Sequence, residues 1–328
     1  MSPPPPPPPP APPPAPPPPS PSRLTPTRTE ATVSTATTPA GPTTPPPGDR
    51  LLSVVRDGVR IHDLGRRLFV GMPQSPNHPA YWHTLPRRHG DRVRADGGSA
   101  ANDMVVMGTH VGTHIDALAH VSQDGLLHGG ADAAAAGAGG VYAEHGVHTI
   151  APMVRRGVLL DIPAVLGEPC APGYEISPAD LEAAQRRQGT PVGAGDVVLV
   201  RSGWGRHFEN PDPRVYRGEE SGVPGVSEAG ARWLAERRAH AAGADTIAFE
   251  RLAPGAGHSR LPAHRVLLVE SGIYIIEALA LDELAAAGVR EFTFVLAPLP
   301  LFGATGSPVR PLAVVSVQGD AGVGGTDG

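Results

Sequence analysis

Met107-Gly108-Thr109-His110-Val111-Gly112-Thr113-His114-Ile115-Asp116-Ala117-Leu118-Ala119-His120 is the stretch on which the reading of this chain turns. Three imidazoles and one carboxylate fall between positions 110 and 120, at the spacing H-x3-H-x-D-x3-H. The spacing is not the helical H-E-x-x-H, because Gly112 and Thr113 are poor helix formers and an apolar, β-branched run leads in. In an extended segment His114 and Asp116, two apart, point to one face. A bend at Gly112 brings His110 round to that face. Asp116 is then expected to cap a helix starting at Ala117, with His120 one turn in and facing back. Imidazole nitrogen and carboxylate oxygen are the donors that Zn²⁺, Mn²⁺ or Fe²⁺ select. A buried polar network is the competing reading; the fourfold pattern on a Gly-containing turn favours a metal site.

Working outward, β-branched and apolar segments alternate with Ala-rich ones. Strands are expected at 59–64, 103–107, 157–162, 197–202, 246–250, 273–276, 291–296 and 312–317. Helices are expected at 181–188, where Ser177-Pro178-Ala179-Asp180 supplies a cap and Gly189 a stop, at 228–241 behind Ser227, and at 281–287 before Gly288. Alternating strand and helix argues for an α/β domain. His264 opens a helix-like run and Glu277 closes an apolar strand. One further His and one carboxylate would complete a four- to six-coordinate site, or hold a second ion bridged through Asp116.

Composition narrows the chemistry. The chain has 328 residues, 41 Pro, 14 His, a single Cys and a net charge of −5, and all 27 basic residues are Arg. Without Lys there is no Schiff base and no P-loop lysine. The lone Cys170 excludes an intrachain disulfide, a CxxC pair and a Cys-rich zinc site. No G-x-S-x-G elbow occurs, which disfavours a serine hydrolase. Mild acidity argues against nucleic acid or an anionic membrane as partner. No apolar run approaches the ~18 residues of a spanning helix, and no signal pattern opens the chain, so a soluble, cytoplasmic protein is expected. Residues 1–48 hold 22 of the prolines. Consecutive prolines forbid helix and ladder bonds, so this segment is expected to be a disordered tail, with a globular domain at 49–318 and a frayed end at 319–328.

His110-Val111-Gly112-Thr113-His114-Ile115-Asp116-Ala117, followed by His120, resembles the motif H-x-G-T-H-x-D-A-P-x-H of the metal-dependent cyclase/kynurenine formamidase family, which includes isatin hydrolase. The likeness extends over about residues 59–317: Ile61-His62-Asp63-Leu64 with Gly71-Met72-Pro73, Gly195 to Trp204, the His264…Glu277 pair, and Gly303 to Pro308. It implies a swivelling β/β/α cyclase-like fold, one globular domain, and a homodimer or higher homo-oligomer. It implies metal ligands at His110, His114 and Asp116, with Asp116 able to bridge to a second ion held by His264 and Glu277, and His120 as the proton-transfer residue. The cofactor so implied is Zn or Mn, one or two ions. Leu118 stands where the shorter formamidases have Pro, and the body is longer than theirs, with an inserted region around 75–83.

The reaction expected from these parts is metal-assisted hydrolysis of a C–N bond in a small aromatic amide or lactam, arylformamidase-like or isatin-hydrolase-like, with His120 carrying the proton. A cyclase, lyase or lactone hydrolase would use the same site, and a non-enzymatic metal-binding protein would be expected to have lost one of the six positions. Tyr81, Trp82, Phe69 and Trp204 are candidates for the wall of a substrate pocket. His62, His145, His148 and His258 follow no pattern and receive no role.

Overall fold

The computed structural model describes residues 47–317. The expected Pro-rich tail, apart from Pro47 and Gly48 at the start of a helix Pro47–Asp57, and the 319–328 end lie outside the described residues. In chain order the strands are β1 (Val59–Asp63), β2 (Trp82–Arg87), β3 (Asn102–Val106), β4 (His114–Asp116), β5 (Met153–Asp161), β6 (Glu175–Ile176), β7 (Val197–Arg201), β8 (Gly225–Val226), β9 (Ala241–Ala244), β10 (Tyr274–Glu277), β11 (Glu291–Leu296), β12 (Gly306–Pro308) and β13 (Leu312–Ser316). Nine of them form one sheet in the order β1-β13-β11-β5-β7-β9-β10-β4-β12. Its centre, β5-β7-β9-β10, is parallel, and both flanks are antiparallel. The expected mixed α/β architecture is what forms.

Strand alternation sorts the core onto two sides of this sheet. On β7, Val198 and Val200 join the cluster of Leu181, Leu234, Leu267 and Leu268. Val197 and Leu199 join the opposite cluster, with Ile115, Leu284 and Phe294. A strand buried on both faces reads as a continuous apolar run, and Val197-Val198-Leu199-Val200 is one. The helix Pro178–Gln188 carries the expected capping box, in which Ser177 and Asp180 satisfy each other's backbone N–H.

Two expectations need correction. The strand expected at 246–250 lies earlier, at Ala241–Ala244, beginning at the last residue of the stretch read as a helix. That helix stops at Glu236, and the chain reverses at Arg238, whose φ is +55°. Ala and Gly have weak strand preference, but at position 243 crowding leaves room only for glycine. A Cβ on Gly243 would stand 2.7 Å from Leu279 Cδ1 and 2.9 Å from Leu199 Cδ2. The helix expected after Asp116 is also absent: Ala117–His120 is a single turn.

β2 and β3 form a separate antiparallel hairpin. Its register places Trp82 opposite Val106 and Thr84 opposite Met104, and Trp82, Met104 and Val106 are 62, 54 and 52 % exposed. Among the described residues no helix is long and apolar enough to cross a membrane.

Candidate metal centre

β4 runs between β10 and β12, and this placement assembles the site. The β4–β10 ladder sets Glu277 directly opposite His114, and the β4–β12 ladder sets Gly306 opposite Asp116. Gly112, at φ +68°, turns the chain so that His110 comes back over β4. Thr113 anchors the turn: its Oγ1 donates to the carbonyl of Ala278 at 2.8 Å and accepts from the N–H of Arg66 at 2.8 Å.

The expected ligands converge. His110 Nδ1 lies 2.6 Å from Asp116 Oδ1, and its Nε2 lies 2.8 Å from Thr305 Oγ1. The ring of His120 stacks on that of His110, with centroids 3.8 Å apart. His114 donates from Nδ1 to the carbonyl of Gly112 at 2.8 Å. Its Nε2 is thereby left as a lone pair, 3.5 Å from Asp116 Oδ1 and 3.4 Å from Glu277 Oε2. From the other side, His264 Nε2 lies 3.5 Å from Asp116 Oδ2 and 3.2 Å from Glu277 Oε1. The donor atoms group into two sets that share Asp116: His110, Asp116 and His120, and Asp116, His264 and Glu277.

The centre concentrates buried carboxyl and imidazole groups whose protonation states depend on one another. Asp116 is completely buried. Burial opposes its ionisation, but His120, His110 and His264 outweigh burial and hold the carboxyl well below the usual range. Burial raises Glu277 to about 8, with Asp116 adding to the rise and His264 opposing it. Burial lowers His114 to about 4 and His120 to about 3, so both rings are neutral at neutral pH. The neutral His114 then aims its lone pair at the Asp116 carboxylate and the Glu277 carboxyl, a contact that a proton or a cation between them makes favourable. Asp116 Oδ2 and Glu277 Oε1 are buried without a hydrogen-bond partner, and such atoms are costly. An all-nitrogen-and-oxygen donor set with two orphaned carboxylate oxygens fits a borderline divalent ion.

The cluster opens into a cavity of about 250 Å³. Val121, Ile247 and Leu261 give it an apolar side; Ser75, Asn77, His78 and His258 give it a polar rim. The loop that carries His78 is held by Gln74, which donates to the His78 carbonyl at 3.1 Å and accepts from the Tyr81 N–H at 3.2 Å. The four aromatics expected to wall the pocket do not line it. Trp204 is core, its indole N–H donating to the Tyr216 carbonyl at 2.8 Å. Phe69 and Tyr81 pack against that same cluster, and Trp82 points outward from β2. Tyr216, His78 and His258 line the cavity instead. The inserted region 75–83 was the only sequence signal for His78; His258, in a Gly-containing loop, carried none.

The cyclase family profile, described as "Putative cyclase", matches residues 51–251. An isatin hydrolase of Roseibium aggregatum is 25% identical over 223 residues, 67% of this chain and 77% of that protein. A solved structure described as a novel cyclase aligns with a TM-score of 0.71 and 29% identity, over 81% of this chain and 92% of its own. Isatin hydrolase A from Ralstonia solanacearum aligns with a TM-score of 0.64 and 25% identity, over 84% of this chain and 100% of its own. With the His110–His120 motif folded into a buried His/Asp/Glu centre, this chain belongs to the cyclase family of metal-dependent hydrolases and cyclases.

Proposed function

We propose that this protein hydrolyses the C–N bond of a small aromatic amide or lactam, in the manner of an isatin hydrolase or an arylformamidase. The observation that carries this reading is the small cavity lined by His110, His114, His120, His264 and Glu277. A cavity of about 250 Å³ is on the scale of a small-molecule site. His110, His114 and Asp116 would hold a divalent ion, Zn or Mn, with His264 and Glu277 available to the same ion or to a second. Such an ion polarises a carbonyl and lowers the pKa of a water toward ~7.

The chain's own residues do the rest. His120, neutral because burial lowers it to about 3, accepts a proton at the imidazole nitrogen that faces Asp116 and returns it to the leaving nitrogen. Asp116, ionised and completely buried, stabilises the imidazolium formed meanwhile. Val121, Ile247 and Leu261 offer apolar surface to an aromatic ring, while Gln74 fixes the loop that brings His78 to the cavity.

The test is hydrolysis of isatin and N-formylkynurenine beside a panel of lactones, with protein that has been chelated and then reloaded with Zn²⁺ or Mn²⁺. Turnover of an amide or lactam that is lost on chelation and restored by metal is the expected result. Turnover confined to lactones would replace the amide reading, and unchanged turnover after complete metal removal would overturn the mechanism.

A further inference from the structure

Glu250 belongs to none of the motifs, yet it is only 1 % exposed and its carboxylate is fully engaged. Oε2 accepts from the backbone N–H of Ala263 at 2.7 Å. Oε1 accepts from the backbone N–H of His264 at 3.2 Å and faces the His264 ring at Nδ1, 2.5 Å away. The backbone holds Glu250 in place. Phe249, fully buried, sits at φ +57°, a conformation non-glycine residues adopt only when their surroundings impose it. Val226 bridges to Glu250, and at Gly225 a Cβ would collide with the Glu250 carbonyl group.

Both Glu250 oxygens already accept from backbone N–H groups, so the short contact at Nδ1 is best met by a ring proton on Nδ1. In the neutral ring that a metal ion binds, the lone pair is then on Nε2. That atom faces Glu277 Oε1 and Asp116 Oδ2, two buried carboxylate oxygens without hydrogen-bond partners. With the proton on Nε2 instead, His264 would donate it to one of those oxygens and close the site to an ion. We infer that Glu250 is the positioning residue of the metal centre, fixing His264 in the one tautomer and orientation that present Nε2 as a ligand. Partners of this kind commonly support metal affinity by 10- to 100-fold.

The inference rests on the reading of His264 as a ligand, and a double-mutant cycle separates the two. Zn²⁺ or Mn²⁺ affinity is measured by competition with a chromophoric chelator, without any substrate, for the full chain and for Glu250→Gln, His264→Ala and the double variant. Glu250→Gln is expected to lose roughly 10- to 100-fold in affinity, and to lose nothing further in the His264→Ala background. If His264→Ala alone leaves affinity unchanged, His264 is not a ligand and the underlying reading fails. If His264→Ala weakens binding but Glu250→Gln does not, or if Glu250→Gln costs as much in both backgrounds, Glu250 is only a structural cap and this inference is wrong. Should Glu250→Gln not fold, nitrogen NMR of the zinc-loaded wild-type ring decides: a proton on Nδ1 of His264 is required, and a proton on Nε2 overturns the assignment.

Discussion

Glu277 stands directly across the antiparallel ladder from His114, and its Oε2 lies 3.4 Å from His114 Nε2. Facing positions in a ladder bring side chains within reach of each other, so the distal carboxylate is delivered to the motif by strand register. Glu277→Gln keeps the shape and removes the charge. It should cut metal affinity by at least ~10-fold, since breaking a charged, ligating pair costs well over the ~1.4 kcal/mol of one decade. Isothermal titration with Zn²⁺ or Mn²⁺ measures it, and wild-type affinity would show that Glu277 takes no part in binding.

The same buried groups set how stability of the chelated protein changes with pH. Burial lowers His114 to about 4, His258 to about 4 and His120 to about 3, against an ordinary 6.5. In the unfolded chain these rings take up protons below about 6.5, while the folded protein does not until far lower pH. Their stabilising contribution is present above about 6.5 and is lost as pH falls toward 4. The pair Glu277 and His264 behaves oppositely. Burial raises Glu277 to about 8, and despite burial the carboxylates of Asp116, Glu250 and Glu277 raise His264 well above its ordinary value. Their contribution is present at low pH and is lost as pH rises through those folded-state values. Urea midpoints in chelator should therefore be highest near about pH 6.5 and fall on both sides. Added metal, which binds both groups deprotonated, should remove the alkaline fall. A chelated midpoint that climbs steadily from pH 6.5 to 8.5 would contradict the arrangement.

His120 is the residue whose role geometry leaves most dependent on experiment, because it groups with His110 and Asp116 as a donor and also opens onto the cavity. As the proton carrier, His120→Ala should lower kcat by about 10²- to 10⁴-fold at unchanged metal content. Elemental analysis of the purified variant checks this, and loss of the metal would make His120 a ligand.

The motif at 107–120 was legible because its donors lie in one contiguous stretch, where strand alternation and one glycine turn suffice to converge them. His264 and Glu277 were legible as the ends of apolar runs. Glu250 was not, because it follows a strand built of Ala and Gly, residues of weak strand preference. His258 and His78 reach the cavity from irregular loops, and nothing local fixes where such a loop lies. The helix expected after Asp116 fails for a tertiary reason. Ala117 N–H bonds to Thr305 and Ala119 N–H to His145, so a turn fastened to two distant segments replaces the helical ladder. The aromatics misled because their direction, outward for Trp82 and coreward for Trp204, is set by strand register and by partners that composition does not reveal.

Gly306 faces Asp116 across the ladder, and its missing side chain is the space that His110 fills. A Cβ there would stand 2.5 Å from His110 Cε1 and 2.9 Å from both His110 Nδ1 and the Ile115 carbonyl oxygen. Gly306→Ala should displace the His110 ring and cost about 1–3 kcal/mol in overpacking. The expected signature is weaker metal binding together with a lower melting temperature of the chelated protein. A variant with wild-type metal affinity would show that His110 has room to move without consequence.

The β2–β3 hairpin presents Trp82, Met104 and Val106 on one face by its register, and the described chain leaves all three exposed. Alternation that builds an apolar face belongs to a strand with something to pack against, and a two-stranded hairpin alone is marginally stable in water. We propose a second copy of this chain as the cover. The excursion 87–103 carries Arg87, Arg88, Arg92 and Arg94 together with Asp91, Asp96 and Asp103, so two copies related by a two-fold axis can oppose unlike charges. Two such hairpins can bury on the order of 1,000 Å², the scale of a specific interface. Light scattering should give a mass of two or more chains of 33.8 kDa, and Trp82→Asp should shift it toward one chain while leaving metal content unchanged. A wild-type protein that stays monomeric at tens of micromolar would refute the self-association, and an oligomer indifferent to Trp82→Asp would place its interface elsewhere.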